Sequence, residues 1–271
     1  MRTLVHLSDL HFGKIDRSVI EPLISRVAHI KPDVVVVSGD LTQRARTEQF
    51  IDARSFLDRL PLPQIVVPGN HDVPLYNVIG RALQPYAKYR RYISNGLEPS
   101  FVDEEIAVLG VNTARALVLK GGRINAHQIT RVCELFGSLG EEITKVIVTH
   151  HPFDLPEGRD TGELVGRADK AMQSFAKCGV DLFLAGHLHI SSSVSTSAQY
   201  QHRGHSAVVV QAGTATSSRV RGEFNSFNVI RIDRASIEVE HLSWRPENNS
   251  FSVSSSQLYK PSLDGWVAQS E

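Results

Sequence analysis

The 271-residue sequence contains only two residues each of cysteine, tryptophan and methionine, and it has no excess of either charge. Lys and Arg together number 29, and so do Asp and Glu. Dedicated nucleic-acid-binding proteins usually carry a basic excess, so this balance argues against stable nucleic-acid binding. No run approaches the roughly 18 apolar residues of a membrane-spanning helix, and the N-terminal segment lacks a secretory signal pattern. We therefore expect a cytoplasmic protein without a membrane span.

The two cysteines, Cys133 and Cys178, each lie in a pattern that is typical of a helix, and neither has the spacing of a metal site. We expect both to be buried free thiols in a reducing compartment. Histidine is the unusually frequent reactive residue, with 12 copies, and six of these fall in tight motifs.

Short apolar runs alternate with helical patterns through most of the chain. The run Val34 to Ser38 is continuous and β-branched, which is typical of a strand buried on both faces. The predicted strands of this part are TLVHLS, VVVVS, QIVVP, AVLGV, KVIVT and DLFLA. The predicted helices are 19–30, a segment from Thr47 that ends before Pro61, 126–139 and 168–178.

From Ser191 onward the runs SSSVSTSA, SAVVVQAG, NSFNVIRI and SIEVEHL predict successive antiparallel strands. A chain that begins as alternating strands and helices and ends as a β-meander suits an α/β fold, with two packed sheets and helices outside. We expect one domain over residues 1–245. Residues 246–271 are polar and Ser-rich, so we expect a loosely packed C-terminal tail, with Tyr259 and Trp266 as candidate anchors.

Polar residues follow directly after five of the predicted strands. These strand ends carry Asp9-Leu10-His11, Gly39-Asp40, Gly69-Asn70-His71-Asp72, His150-His151 and Gly186-His187-Leu188-His189. Ligand sites of open α/β sheets form outside the carboxyl ends of strands, so the five ends can converge on one crevice. Carboxylate and amide oxygens together with imidazoles favour divalent metals such as Zn, Mn or Fe. Each motif alone is compatible with ordinary turn chemistry, but five in succession predict a metal site.

The series DLH, GDL, GNHD, HHP and GHLH resembles the calcineurin-like metallophosphoesterase family. The resemblance spans Arg2 to about Leu242, and the nearest branch is that of the bacterial class III cyclic-nucleotide phosphodiesterases. It implies a four-layer αββα sandwich of two mixed β-sheets flanked by helices, which agrees with the strands and helices predicted above.

The resemblance also implies a ligand set for two metal ions (Mn, Fe, Zn or Co). One ion would be held by Asp9, His11, Asp40 and His189, and the other by Asp40, Asn70, His150 and His187. Asp40 would bridge the two ions, because each oxygen of a carboxylate can face one cation.

The catalytic residues implied by the resemblance are His71 and Asp72. His71 would donate a proton to the leaving group, and Asp72 would orient His71 or contribute to the local field. At this position relatives often have the longer Glu, so the orienting role of Asp72 is where the sequence departs from the family pattern. The reaction implied is hydrolysis of a small-molecule phosphodiester, such as a 3′,5′-cyclic nucleotide, by a metal-bound hydroxide.

Other polar residues have both a functional and an ordinary interpretation. We expect His151 to support the site without binding metal, and His6 to be a core histidine. The segment 85–92, Asn112, Arg219 and Arg221 can contact substrate or can lie on ordinary surface, and both interpretations remain open.

Four alternative functions are weighed against the phosphodiesterase. A phosphomonoesterase would use the same motifs, whereas a nucleotide–lipid pyrophosphate hydrolase would need an apolar groove that the segment after Asp72 does not suggest. A DNA-repair nuclease of this fold would need a basic surface. A non-catalytic metal-binding scaffold would tend to lose ligands that are all present here. The sequence is compatible with a homo-oligomer.

Overall fold

The computed structural model describes residues 1–75, 78–116, 121–155, 160–196, 205–218, 223–263 and 265–269. Its strands are β1 (Arg2–Leu7), β2 (Val34–Ser38), β3 (Gln64–Val67), β4 (Ser100–Val102), β5 (Ile106–Gly110), β6 (Thr144–Val148), β7 (Leu182–Ala185), β8 (Ser192–Ser195), β9 (Val208–Gln211), β10 (Ser226–Asp233), β11 (Ser236–Arg245), β12 (Ser250–Ser262) and β13 (Gly265–Ala268). Its helices are α1 (Ile20–Ile30), α2 (Thr47–Leu57), α3 (Val78–Leu83), α4 (Ala87–Tyr92), α5 (Ala126–Gly137) and α6 (Ala168–Lys177).

The strands form two mixed sheets. The first has the order β13-β12-β11-β10-β1-β2-β3, and the second has the order β4-β5-β6-β7-β9-β8. Within the first sheet β1, β2 and β3 are parallel, and within the second β5, β6, β7 and β9 are parallel. Because parallel strands end at the same edge of a sheet, the loops that follow them are gathered at one end of each sheet.

The alternation of side chains along the strands produces the layers. Val34 and Val36 of β2 point into the core between the sheets, whereas Val35 and Val37 point into the core under the helices. The outer core of the first sheet includes residues of α1, α2 and α4, and that of the second includes residues of α5 and α6. The predicted four-layer αββα sandwich is confirmed. None of the helices in the described ranges has the length and apolar composition needed to span a bilayer.

The late strands do not form the single antiparallel series expected from the sequence. β8 and β9 belong to the second sheet, where β9 is parallel to β7, while β10 to β13 belong to the first sheet. The alternating patterns predicted the strands themselves, but a pattern within one strand carries no information on which sheet it joins.

The structure differs from the expected loose tail after residue 245. β12 pairs with β11 over its length, and β13 pairs with β12. Tyr259 and Trp266 are buried in the core between the sheets, and the Trp266 indole nitrogen donates to Asp181 Oδ1 at 2.9 Å. The two aromatic anchors are therefore confirmed, but the segment is a paired part of the first sheet. The composition misled because β12 is a largely exposed, polar strand in which only Phe251 and Tyr259 are buried.

The expectation of two free buried thiols is wrong. Cys133 on α5 and Cys178 after α6 form a disulfide, with a Cα–Cα distance of 5.3 Å, and both are only partly buried. This distance lies in the ordinary disulfide range. The bond joins the two helices outside the second sheet, and it removes the cysteine argument for a reducing compartment.

A chain of hydrogen bonds connects buried polar side chains between the sheets. The Asn228 amide nitrogen donates to the Gln211 carbonyl at 3.1 Å and lies 3.4 Å from His6 Nδ1. Its amide oxygen lies 2.7 Å from His241 Nδ1, and His6 Nε2 lies 2.9 Å from the Ser38 hydroxyl.

The backbone carbonyl of Gln211 fixes the direction of this chain, because it can only accept. The NH₂ group of Asn228 must face it, so His6 Nδ1 accepts and His241 Nδ1 donates. His6 is consequently neutral, because a ring nitrogen that accepts carries no proton. Burial lowers the pKa of His6 to about 3 and that of His241 to about 4, in agreement with this pattern. His6 is thus a satisfied core histidine, as predicted.

These lowered pKa values predict a loss of stability in acid. The unfolded chain takes up protons on both histidines below about pH 6.5, whereas the folded chain does not until about pH 4. The free energy of unfolding therefore decreases as the pH is lowered from about 6.5 to about 4. The slope contribution is at most about 1.4 kcal/mol per pH unit for each histidine. Urea unfolding from pH 7.5 to 5 in a chelator should show a shallower pH dependence for His241→Gln than for the wild type. Equal slopes would contradict the neutral network.

Candidate metal centre

The predicted ligands lie on loops at the carboxyl ends of five strands. Asp9 and His11 follow β1, Asp40 follows β2, and Asn70 begins a short 3-10 turn after β3. From the second sheet, His150 follows β6, and His187 and His189 follow β7. Backbone bonds align these loops: His11 N donates to the Asp40 carbonyl at 2.9 Å, and Gly186 N donates to the His150 carbonyl at 3.1 Å.

One half of the centre is formed by Asp9, His11 and His189, whose ligand atoms lie within 4.8 Å of one another. Asp9 Oδ1 is 3.3 Å from His189 Nε2 and 3.5 Å from His11 Nε2. Asp9 and His11 are fully buried. Asp9 Oδ2 accepts from the Ser8 hydroxyl at 2.7 Å and from His187 N at 3.0 Å, which fixes the carboxylate and leaves Oδ1 pointing at the imidazoles.

Asp40 lies between the two halves of the centre. Its Oδ1 is 3.4 Å from His150 Nε2, and its Oδ2 is 3.8 Å from His11 Nε2. Asn70 Oδ1 lies 3.1 Å from the same His150 nitrogen. The rings of His150 and His187 have their centroids 5.1 Å apart. The two oxygens of Asp40 therefore face different groups of ligand atoms, as a bridging carboxylate would.

Hydrogen bonds behind the imidazoles fix their orientation. His150 Nδ1 donates to the Ser38 carbonyl at 2.8 Å, which leaves Nε2 directed at Asp40 and Asn70. His189 Nδ1 lies 2.7 Å from the Thr214 hydroxyl, which leaves its Nε2 directed at Asp9. Partners of this kind are typical of metal-binding histidines, because they set the tautomer and the plane of the ring.

Two glycines allow the backbone to approach the ligands closely. A Cβ atom at Gly69 would collide with the Asp40 carboxylate, and one at Gly39 would lie 2.7 Å from His150 Nδ1. Gly39 also has a φ of +92°, which side-chain-bearing residues rarely adopt. The glycines of the GD and GNHD motifs are thus required by the closeness of the site.

The buried carboxylates stay ionised because imidazoles surround them. Burial opposes ionisation of Asp9 and Asp40, but His189 and His11 lower the pKa of Asp9, and His150 holds the pKa of Asp40 well below its ordinary value. Burial likewise lowers the pKa of His150, yet Asp40 outweighs it and raises that pKa to about 9. A metal ion bound by His150 would displace this proton, so metal uptake would release protons.

Unpartnered atoms show that this cluster fits metal ions. Asp9 Oδ1 and both ring nitrogens of His11 are buried and make no hydrogen bond of acceptable geometry. Buried polar groups without partners are rare in folded proteins, because each costs about 1–3 kcal/mol. Their convergence with further carboxylate and imidazole atoms suits divalent metal ions, which would satisfy them.

His71 and Asp72 have different surroundings. The side chain of His71 is 22% exposed; its Nδ1 donates to the Gln43 carbonyl at 2.8 Å, and its Nε2 lies 4.0 Å from Asp40 Oδ2. Asp72 is buried and accepts from Gly69 N, Leu41 N, Thr42 N and the Thr42 hydroxyl. Its carboxylate therefore joins the loops after β2 and β3, whereas Gln43 orients the His71 ring. Burial and Asp40 raise the pKa of Asp72 to about 6.

The residues with two open interpretations are placed as follows. His151 is buried, and its Nδ1 lies 2.9 Å from the Thr113 hydroxyl. Its imidazole lies close to the imidazoles of His150 and His187. Asn112 is buried, and its side-chain oxygen accepts from Ala114 N at 3.0 Å. Arg219 and Arg221 lie outside the described residues.

The segment 85–92 has one buried and one more open side. Tyr89 of α4 is buried and donates to the Val66 carbonyl at 2.8 Å, and Tyr92 packs on the core under the helices. Lys88 donates to the Ala45 carbonyl at 3.0 Å. The segment is thus an amphipathic helix that packs beside α2, and its basic side borders the loop after β2.

Sequence reasoning missed the residues that support the ligands. Ser38, Thr214 and Gln43 orient His150, His189 and His71, and Arg44 NH1 lies 3.5 Å from His71 Nδ1. Ser38 and Gln43 stand next to ligand motifs, so their position was a weak signal. Thr214 is distant in sequence from every motif and gave none.

Comparison with known proteins identifies the family. A profile of the calcineurin-like phosphoesterases matches residues 2–191. A glycerophosphodiester phosphodiesterase GpdQ of Enterobacter lignolyticus is 38% identical over 80 residues, which are 26% of this chain and 29% of that protein. A probable cyclic nucleotide phosphodiesterase of Vesicomyosocius okutanii subsp. Calyptogena okutanii is 29% identical over 77 residues, 26% of this chain and 33% of that protein. The chain thus matches about a third of each relative's length.

The fold also resembles solved structures. A dimetal phosphatase from Danio rerio superposes with a TM-score of 0.65 at 12% identity, over 89% of this chain and 95% of that one. At this identity the likeness concerns the fold, which is the same two-sheet sandwich. Because the family profile covers more than half of the residues and includes all five ligand motifs, the chain belongs to the calcineurin-like phosphoesterase family.

Proposed function

We propose that the protein is a metal-dependent phosphoesterase that hydrolyses small-molecule phosphodiesters. The observation that carries the proposal is the buried convergence of Asp9, His11, Asp40, His150 and His189, in which Asp9 Oδ1 and the His11 ring lack hydrogen-bond partners. Atoms left unsatisfied in this way are ready to bind cations. The family supports phosphoester chemistry, and the two relatives named above are both phosphodiesterases by name.

The arrangement supports a dinuclear centre. Asp9, His11 and His189 would hold one ion, and Asn70, His150 and His187 the other, with Asp40 between them. Ions such as Mn, Fe, Zn or Co in these places would supply Lewis-acid activation of water and neutralise the charge of a phosphate.

His71 is positioned to protonate the leaving oxygen. Its Nδ1 carries a proton, because that atom donates to the Gln43 carbonyl, and its Nε2 faces the centre. In the imidazolium form Nε2 can hand a proton to an alkoxide that leaves from a phosphate bound beside Asp40. The partial exposure of the ring suits a group that must exchange its proton with solvent.

We expect diesters to be hydrolysed better than monoesters. A monoester dianion needs more positive charge around it than a diester monoanion does, and Asp9 and Asp40 offset part of the charge of two divalent ions. The measurement compares kcat/KM for a nitrophenyl phosphate, a bis-nitrophenyl phosphate and a 3′,5′-cyclic nucleotide with one metal. Preference for the monoester would contradict the proposal. Turnover of the synthetic diester alone would retain diester hydrolysis and exclude cyclic nucleotides.

Removing Asp40 should lower metal content more than removing any other single ligand. Asp40→Ala deletes the only carboxylate of the described centre whose oxygens face both groups of imidazoles, so we expect less than one ion per chain where the wild type holds two. Metal analysis after reconstitution and gel filtration measures this, with Asp33→Ala, a change of one carboxylate near the protein surface, as the control. Two ions retained in Asp40→Ala would exclude a bridging role.

Removing His71 should affect rate more than metal content. For His71→Ala we expect kcat to fall about 10²- to 10⁴-fold for poor leaving groups, and much less for activated nitrophenyl esters, because only the former need a proton. Metal content should not change. His127→Ala removes an exposed histidine on α5 and serves as the control. An equal loss across leaving groups would show that His71 positions the phosphate instead.

A further inference from the structure

Arg44 lies beside His71 on a loop whose backbone is firmly held. Arg44 N donates to Gln49 Oε1 at 2.9 Å, and Ala45 N donates to the Thr42 hydroxyl at 3.0 Å. Lys88 Nζ donates to the Ala45 carbonyl at 3.0 Å. Ala45 has a φ of +49°, a conformation that a non-glycine residue adopts only where its surroundings impose it. The loop thus presents Arg44 in a defined place.

The guanidinium of Arg44, in contrast to its backbone, is poorly partnered. Its NH1 donates to the Gln43 carbonyl at a long 3.3 Å. The same NH1 lies 3.5 Å from His71 Nδ1, but that nitrogen already carries the proton that it donates to the Gln43 carbonyl. Both atoms are donors, so they do not form a hydrogen bond with each other. Within the described ranges no carboxylate lies within 4.0 Å of Arg44, and the same is true of Lys88. Arg44 is partly exposed, so its guanidinium has donors that can bind an anionic ligand.

A second atom beside His71 also lacks a partner. Gln43 is 6% exposed, its amide nitrogen lies 3.3 Å from His71 Nδ1, and its amide oxygen makes no hydrogen bond. The Gln43 oxygen is buried, so the Arg44 guanidinium supplies the donors that a ligand can reach next to the proposed acid. Both groups lie on the side of the centre where His71 meets the leaving oxygen.

We infer that Arg44 binds an anionic group on the leaving part of the substrate, a carboxylate or a second phosphate. This inference rests on the proposed function, since it takes His71 as the group that meets the leaving oxygen. The planar guanidinium can bind either oxyanion with two parallel hydrogen bonds, which a lysine cannot do. The site thus selects diesters whose leaving alcohol carries its own negative charge near the ester oxygen.

The test uses two diesters that differ in one charge, methyl 3-carboxyphenyl phosphate and methyl 3-carbamoylphenyl phosphate. In the metal-loaded protein, Arg44→Gln should lower kcat/KM for the carboxylate substrate about 10- to 100-fold and for the amide substrate less than about 3-fold, as loss of a charged hydrogen bond implies. Arg44→Lys should fall between. Arg46→Gln, the same charge change two residues away on an exposed side chain, is the matched control and should alter neither value more than about 3-fold.

Two outcomes would overturn the inference. If Arg44→Gln lowered kcat/KM equally for both substrates, Arg44 would be a residue that supports His71. If Arg46→Gln had the same effect as Arg44→Gln, the effect of Arg44 would come from its general positive charge and not from a subsite. Calorimetry can measure the binding of two phenylphosphonates, one with a 3-carboxyl group and one with a 3-carbamoyl group. Their binding distinguishes a failure of the Arg44 subsite from a failure of the proposed function. Charge-selective binding that depends on Arg44, without turnover of any diester, would retain the subsite and exclude the hydrolysis. Binding without charge preference would overturn the subsite whatever the turnover.

Discussion

The hydrogen bond from His150 Nδ1 to the Ser38 carbonyl, 2.8 Å long, joins the two sheets at the point on which the centre depends. Ser38 ends β2 of the first sheet, and His150 follows β6 of the second. The bond directs His150 Nε2 at Asp40, which is two residues beyond Ser38. A second contact between the sheets, from His187 N to Asp9 Oδ2 at 3.0 Å, holds the other half of the centre together. Gly39 has no side chain to obstruct the contact of His150 with Ser38, so its small size has a specific cause.

The loops that carry the ligands are locally strained. Asp9, His11, Asp40, His187 and His189 all have positive φ angles between 52° and 72°. Non-glycine residues in this region cost of order 1–3 kcal/mol each, and such residues cluster at functional sites. The backbone bonds between neighbouring loops and the carboxylate of Asp72 maintain the conformation. Part of the stability of the sandwich is thus used to hold ligands in place, which is consistent with a preformed centre.

The sequence predicted those parts that depend on local pattern. The continuous run of Val34 to Val37 predicted a strand buried on both faces, and its end predicted the position of Asp40. Contacts between distant segments carried no such signal. Thr214 contacts His189, and Cys178 contacts Cys133, only because the chain between them folds back. Ser-rich β12 joins the sheet through the backbone pairing of its edge with β11, which composition does not reveal. The sequence gave no signal for Arg44, because its proposed role depends on the lack of a carboxylate near it among the described residues, which only the fold determines.

The buried histidines His6 and His11 differ in one measurable respect, the saturation of their ring nitrogens. Both nitrogens of His6 have partners, and the direction of each bond is fixed by the Gln211 carbonyl, so that imidazole has no capacity left for a ligand. Neither nitrogen of His11 has a partner, although the ring is equally buried. Folding alone does not favour an unsatisfied buried ring, whereas a cation bound beside Asp9 would satisfy it. Burial therefore does not distinguish His11 from His6, but unmet hydrogen-bonding capacity does.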